Sequence, residues 1–278
     1  MTTNATMVPE LKLNDGNHMP QLGFGVFQVP EAETAETVIH AIQTGYRSID
    51  TAAAYGNEAG VRDAVLTSEI DRGDLFITTK LQNKDHGRHH VPRAFEESLD
   101  KLGGEHIDLY LIHWPVPHNG LTVETWEALC ELRQQERVRS IGVSNFRVED
   151  LEKIIDATGV VPAVNQIELH PRLQQLELRR FHEEHGIVTE AWSPLGKAQF
   201  LDDPTIERIA SEHDRTPAQV VLRWHIQLGN VVIPKSVTPS RIEENFRIFD
   251  FELSDDDMRA LFELDREERT GPDPSTFG

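Results

Sequence analysis

Residues 75–113 read LFITTKLQNKDHGRHHVPRAFEESLDKLGGEHIDLYLIH. The segment 75–80 is apolar or β-branched until it reaches Lys80, the pattern of a short buried strand. Residues 92–103 then place Phe95, Leu99 and Leu102 on one helical face and end at a glycine. Residues 107–113 form a second apolar strand, and it too ends in a polar side chain, His113. Strand, helix and parallel strand, each strand with chemistry at its carboxyl end, is one turn of an α/β fold.

The same alternation extends in both directions. Residues 11–23 read as a hairpin turning at Asn14-Asp15-Gly16-Asn17. Strands are then expected at 23–29, 46–50, 75–80, 107–113, 138–144, 162–169, 187–194 and 231–234. Helices are expected at 31–45, 57–68, 92–103, 122–135, 148–158, 176–186, 203–214, 216–229 and 240–249, with a last one at 253–264 before a Pro/Gly-rich tail. Eight strand–helix pairs in 278 residues predict one (β/α)8 TIM barrel domain, residues 1–278, with an N-terminal β-hairpin and a C-terminal helix plus tail. A doubly wound sheet fits less well. Gly23-Phe24-Gly25 opens a G-x-G, but no third glycine and no helix follow.

With 47 acidic and 27 basic residues, the formal net charge is −20. Such a surface opposes general nucleic-acid or anionic-membrane binding, so an anionic ligand requires a local basic pocket. Cys130 is the only cysteine; it excludes an intrachain disulfide and a cysteine zinc site, and its helical context reads as a buried structural thiol. The first ten residues show no basic start followed by an apolar run, and no stretch reaches the ~20 apolar residues of a membrane span. A cytoplasmic, monomeric protein is expected.

In such a barrel the carboxyl ends of the strands form the active face. Asp50 ends the second strand with Tyr55 just after it, Lys80 ends the third, and His113 with Trp114 the fourth. Ser144-Asn145, Asn165-Gln166, Trp192-Ser193 and Pro234-Lys235-Ser236 follow on the others. A phenol is a weak acid, and a neighbouring ammonium lowers its pKa, so Lys80 is expected to lower that of Tyr55. Asp50 can neutralise Lys80, and His113 can hydrogen-bond a substrate oxygen. These groups can polarise and protonate a carbonyl but supply no electrons, so a hydride-donating cofactor is needed.

The motifs GYRSIDTAAAYGNE, LFITTKL, IDLYLIHWP, IGVSNF, NQIELHP and IPKSVTPSRIEEN span nearly the whole chain in order. Together they resemble the aldo-keto reductases, and AWSPLG, PKSV and GPDPSTF look most like the bacterial 2,5-diketo-D-gluconate reductase branch. The resemblance implies metal-free, NADPH-dependent reduction of aldehydes and ketones, with Tyr55 as general acid, Lys80 and Asp50 assisting, and His113 orienting the carbonyl. It implies a cofactor site of Gly25, Val26, Ser144, Asn145, Gln166, Trp192, Ser193, Leu195, Gly196, Lys235, Ser236, Val237, Arg241, Glu244 and Asn245. In that site Trp192 stacks on the nicotinamide, Ser144, Asn145 and Gln166 hold its carboxamide, and Lys235, Ser236 and Arg241 meet the 2′-phosphate. Phe27, Trp114 and Phe277 would wall the substrate pocket. Keto-sugar acids, methylglyoxal and other small carbonyls all suit this reading; an NADPH-binding sensor barrel with little turnover is the alternative. The histidines of HGRHH (86–90) and HEEH (182–185) read as a surface loop and a solvated helix face rather than metal ligands.

Overall fold

The apolar runs become strands only as far as both neighbours can pair with them. In the computed structural model, which describes residues 8–104 and 106–278, β1 (Glu10–Lys12) and β2 (His18–Pro20) form the antiparallel hairpin. The leader reading at the N-terminus falls partly on residues 1–7, outside the described residues. Eight parallel strands follow: β3 (Phe24–Gly25), β4 (Ser48–Asp50), β5 (Phe76–Leu81), β6 (Ile107–Ile112), β7 (Val138–Ser144), β8 (Val164–Glu168), β9 (Val188–Trp192) and β10 (Val231–Val232). They lie in sequence order, each beside the next. A parallel bridge from Leu22 to Val232, with the Gly23 amide donating to the Val232 carbonyl at 2.8 Å, closes the sheet into a barrel. The first and last strands are shorter than the sequence suggests. Pro234 has no N–H to give the ladder, though its carbonyl still accepts from the Gly25 amide at 3.2 Å, and residues 26–29 turn, with the Val29 amide donating to the Val26 carbonyl at 3.0 Å.

Parallel neighbours require crossover connections, and helices supply them. These are α1 (Glu31–Thr44), α2 (Glu58–Thr67), α3 (Val91–Lys101), α4 (Thr122–Gln134), α5 (Val148–Thr158), α6 (Leu176–His185), α7 (Pro204–Glu212), α8 (Pro217–Gln227) and α9 (Pro239–Phe246), with α10 (Asp255–Phe262) added at the end. Their starts follow local chemistry. Proline opens α7, α8 and α9, where an N–H would be unpaired anyway, and Thr216 with Gln219 and Ser254 with Asp257 form capping boxes.

Strand alternation sends one set of residues outward and one inward. Outward residues such as Ile77, Tyr110, Ile141 and Ile167 meet Phe95, Trp126, Leu151 and Val220 of the helices in a continuous core. Inward residues divide into two layers. Leu109, Leu111, Val164 and Val231 pack with Leu13 and Met19 from the hairpin, which plugs the amino-terminal end. Above them, on the same inward alternation, stand Asp50, Lys80, Gln166 and Glu190, all buried.

Two histidine expectations require correction. His182 does not lie on a solvated face: with Leu178 it forms the inward i, i+4 pair of α6, and its ring meets Thr189 Oγ1 at 2.8 Å and Asn165 Nδ2 at 3.0 Å. His86 is likewise buried, beside the Asn119 amide, while His89 and His90 are exposed. Cys130 is buried as expected, and burial pushes its thiol up to about 11. No described helix is long and apolar enough to cross a membrane.

Candidate active site

The chemistry begins where β4 ends. Asp50 closes the strand, Thr51 and Ala52 continue extended, and a single 3₁₀ turn, Ala53–Tyr55, brings the phenol back over the barrel. Gly56 follows at φ 70°, a left-handed conformation that a β-carbon would strain. The fully buried Asn57 fixes this turn. It accepts from Thr51 Oγ1 at 2.7 Å and donates to the carbonyls of Val26 and Val29 at 2.9 and 3.1 Å, tying the Tyr55 loop to the loop after β3.

Lys80 rises from β5 beneath the phenol and is fully buried. Its three N–H groups can be accounted for. They reach Asp50 Oδ1 and Oδ2 at 2.7 and 2.8 Å, the Thr51 carbonyl at 2.9 Å, and the Tyr55 hydroxyl at 3.4 Å. Burial acts to strip Lys80 of its proton, but Asp50, together with Tyr55 and Glu190, outweighs it and holds the ammonium above its ordinary pKa. The expectation for Tyr55 is half met. Lys80 does lower the phenol's pKa, yet burial raises it more and Asp50 adds to that, so the net shift is upward. Tyr55 is therefore a protonated phenol at neutral pH, with an ammonium placed to stabilise the phenolate once the proton leaves. His113 faces the Tyr55 ring edge-on, centroids 5.6 Å apart. Burial first, then Lys80, lowers His113 to about 3, so it is a neutral imidazole able to donate a hydrogen bond without adding charge.

These groups lie at the floor of a cleft of about 730 Å³ at the carboxyl end of the barrel. Asp50, Tyr55 and His113 line it, as do the expected cofactor residues Gly25, Ser144, Asn145, Gln166, Trp192, Ser193, Leu195 and Lys235. Phe27, Trp114 and Phe277, expected to wall a substrate pocket, line the same cleft. Phe27 packs on Tyr55 with centroids 5.0 Å apart, and Phe277 on Trp114 at 4.4 Å.

Other expected cofactor residues stand elsewhere. Val26 has its side chain in the outer core, and its N–H and C=O are bonded to Asp50 and to Asn57 and Val29, so it brings nothing into the cleft. Gly196 packs against the Phe200 ring beneath the loop after β9. Ser236 and Val237 follow Lys235 in the β10–α9 connection, and Arg241, Glu244 and Asn245 stand on α9, all outside the cleft lining. Glu244 accepts from Thr216 Oγ1 at 2.8 Å. Neither Lys235 nor Arg241 makes an ion pair among the described residues, and both are exposed, so this corner keeps free positive charge on an acidic protein.

The cleft suits a bound nicotinamide dinucleotide. Trp192 presents an indole to it, held by a bond from its N–H to Asn145 Oδ1 at 2.8 Å. Asn145 in turn donates to the His113 carbonyl and to Ser144 Oγ, both at 3.0 Å, and Ser144 donates to the Gln166 carbonyl at 2.8 Å. Ser144 and Asn145 thus brace the site as well as line it. Gln166 gives its amide nitrogen to Asp50 and Glu190, leaving its side-chain oxygen as the acceptor for a ligand.

Two acidic side chains were not foreseen. Glu190 lies directly beside Gln166 in the β8–β9 register. Glu168, also buried, anchors the C-terminal tail: its Oε1 accepts from the Thr270 amide and hydroxyl, both at 2.6 Å, and from the Gly271 amide at 3.1 Å. Lys197 reinforces the tail by donating to the Thr270 carbonyl at 2.7 Å. Gly271 sits so close to Trp192 that a β-carbon there would meet the indole at 2.3 Å. The tail is therefore seated against the indole before Pro272 and Phe277 enter the cleft. A charged residue two positions from Gln166 or from Trp192 in its strand was the available signal for both.

A sequence model of the aldo/keto reductase family matches residues 21–266. An aldo-keto reductase of Mycolicibacterium smegmatis is 55% identical over 98% of this chain and 98% of its own length. The methylglyoxal reductase DkgA of Escherichia coli K12 is 51% identical over 96% of this chain and 98% of its own. Among solved structures, Gox0644 in its apo form superposes with a TM-score of 0.95 at 53% identity, covering 98% of this chain and 99% of that one. The D53A mutant of Gox0644 in complex with NADPH gives a TM-score of 0.94 at the same identity and coverage.

Proposed function

The chain belongs to the aldo/keto reductase family, and from that premise we propose that it reduces aldehydes and ketones to alcohols with NADPH, Tyr55 delivering the proton. One observation carries this reading: the Lys80 ammonium lies 2.7 Å from Asp50 and 3.4 Å from the Tyr55 hydroxyl at the floor of a cleft that also holds an indole. When bound, NADPH supplies the hydride to the carbonyl carbon. Trp192 and the Gln166 oxygen would hold its nicotinamide, Ser193 and Leu195 its pyrophosphate, and Lys235 with Arg241 its 2′-phosphate. The free charge of those two cations favours NADPH over NADH.

The chain's own residues divide the remaining work. His113, neutral at working pH, donates to the carbonyl oxygen and fixes its direction. Tyr55 protonates that oxygen as negative charge develops on it. Lys80 stabilises the phenolate left behind, and Asp50 keeps Lys80 charged and in place. Phe27, Trp114 and Phe277 form an aromatic wall beside the reacting carbon.

The substrate is a small carbonyl compound that fits between those three rings. Methylglyoxal is the first to try, because relatives bearing the name methylglyoxal reductase match over nearly the whole chain. Steady-state oxidation of NADPH and of NADH should be followed in parallel with methylglyoxal, a keto-sugar acid and an aromatic aldehyde. Turnover with NADPH on at least one, and a higher KM for NADH, is expected. Tight NADPH binding with no oxidation across the panel would instead indicate a sensor.

A further inference from the structure

We propose that Glu190 is a positioning residue for the reaction: it locks the Gln166 amide in one orientation and sets a second carboxyl behind the Asp50–Lys80 pair. The inference rests on the reductase reading and extends it to a buried group outside the cleft lining.

The geometry is specific. Glu190 is fully buried in the middle of β9, directly beside Gln166 of β8 and Val231 of β10. The Gln166 amide nitrogen donates to Asp50 Oδ2 and to Glu190 Oε2, both at 2.8 Å. A side-chain amide can flip by a half-turn at little cost unless its partners distinguish oxygen from nitrogen. Here the Asp50 carboxylate, an acceptor only, takes one N–H and Glu190 Oε2 takes the other, which turns the Gln166 oxygen toward the cleft. With Asp50 alone, one N–H would lack its partner and the orientation would be only half specified.

Electrostatics gives the second consequence. The charged groups facing Glu190 are Asp50 on β4 and Lys80 on β5, with Tyr55 on the turn above; β8 and β10 present Gln166 and Val231, which do not titrate. Glu190 Oε1 has no hydrogen-bond partner among the described residues. Burial, then Asp50, hold the Glu190 pKa above the ordinary carboxylate range. Once ionised at alkaline pH, Glu190 opposes formation of the Tyr55 phenolate and supports the Lys80 ammonium. It therefore keeps the phenol protonated to higher pH than Asp50 and Lys80 alone would.

Two substitutions separate orientation from charge. Glu190→Gln keeps an oxygen for the Gln166 N–H and removes the charge. Glu190→Met removes both at similar volume. Wild-type turnover with NADPH and methylglyoxal tests the reductase reading first; NADPH affinity by fluorescence titration and the pH profile of kcat then test the role of Glu190. In Glu190→Gln the NADPH Kd should stay within about twofold of wild type, while the alkaline limb of kcat moves to lower pH by about one unit. Glu190→Met should show the same pH movement together with a Kd weakened about fivefold or more. An alkaline limb left in place, or moved to higher pH, in Glu190→Gln overturns the electrostatic part; since this variant keeps the acceptor, its profile decides even if Glu190→Met fails to fold. A wild-type Kd in a folded Glu190→Met overturns the orienting part.

Discussion

The two layers inside the barrel are built from the same alternation and behave oppositely. The lower one, Leu109, Leu111, Val164 and Val231 against the hairpin's Leu13 and Met19, is apolar and without charge. The upper one, Asp50, Lys80, Gln166 and Glu190, is just as buried and almost wholly ionic or polar. Burying apolar surface stabilises by roughly 25 cal/mol per Å². Burying ions costs several kcal/mol each and is recovered only with good partners. The lower layer therefore supports the fold, and the upper one, on the proposed function, serves the chemistry. Substitutions in the two should separate stability from turnover.

The largest effect is expected in the upper layer. Lys80→Met leaves Asp50 buried without its counter-ion and should cost about 3–5 kcal/mol in denaturant unfolding, with turnover lost. Adding Asp50→Leu should restore most of that stability and none of the activity. A double variant as unstable as the single would mean that the ion pair contributes to folding after all. In the lower layer, Leu109→Ala should cost about 3 kcal/mol by opening a cavity, while kcat stays within about twofold of wild type. A large fall in kcat there would show that the layers are mechanically coupled.

A smaller effect lies at the rim. Glu168→Ala leaves the Thr270 and Gly271 donors without their acceptor and should weaken the tail's hold by about 1–2 kcal/mol. Hydrogen exchange at the Gly271 amide and a raised KM for carbonyls resting on Phe277 would report it. Burial raises the Glu168 pKa, but hydrogen bonds from His170 and Thr270 outweigh it and hold the carboxyl below its ordinary value. A depressed folded pKa stabilises above the unfolded value and ceases to as pH falls through the folded one. The tail should thus be firm at neutral pH and loosen only in acid below the ordinary carboxylate range.

The alternation of strand and helix made the barrel legible, because period two and period 3.6 leave different marks on the sequence. Asp50, Lys80 and His113 were legible because each interrupts an apolar run at a strand's carboxyl end. Glu190 and Glu168 share the inward face of Gln166 and Trp192, but their partners depend on strand register and on a tail distant in sequence. The direction of the Tyr55 shift depends on how deeply the phenol is buried, which no motif encodes. His182 is hidden in the sequence because five charged or polar neighbours in HEEH and RR obscure a two-residue inward stripe with Leu178.

The central claim is that the Tyr55 hydroxyl, above Lys80, is the proton donor. Tyr55→Phe removes one oxygen from that cleft. The direct measurement is NADPH affinity and single-turnover reduction of methylglyoxal in this variant beside wild type. The account predicts affinity within about twofold and a reduction rate lower by about 10²–10⁴; reduction at the wild-type rate would contradict it.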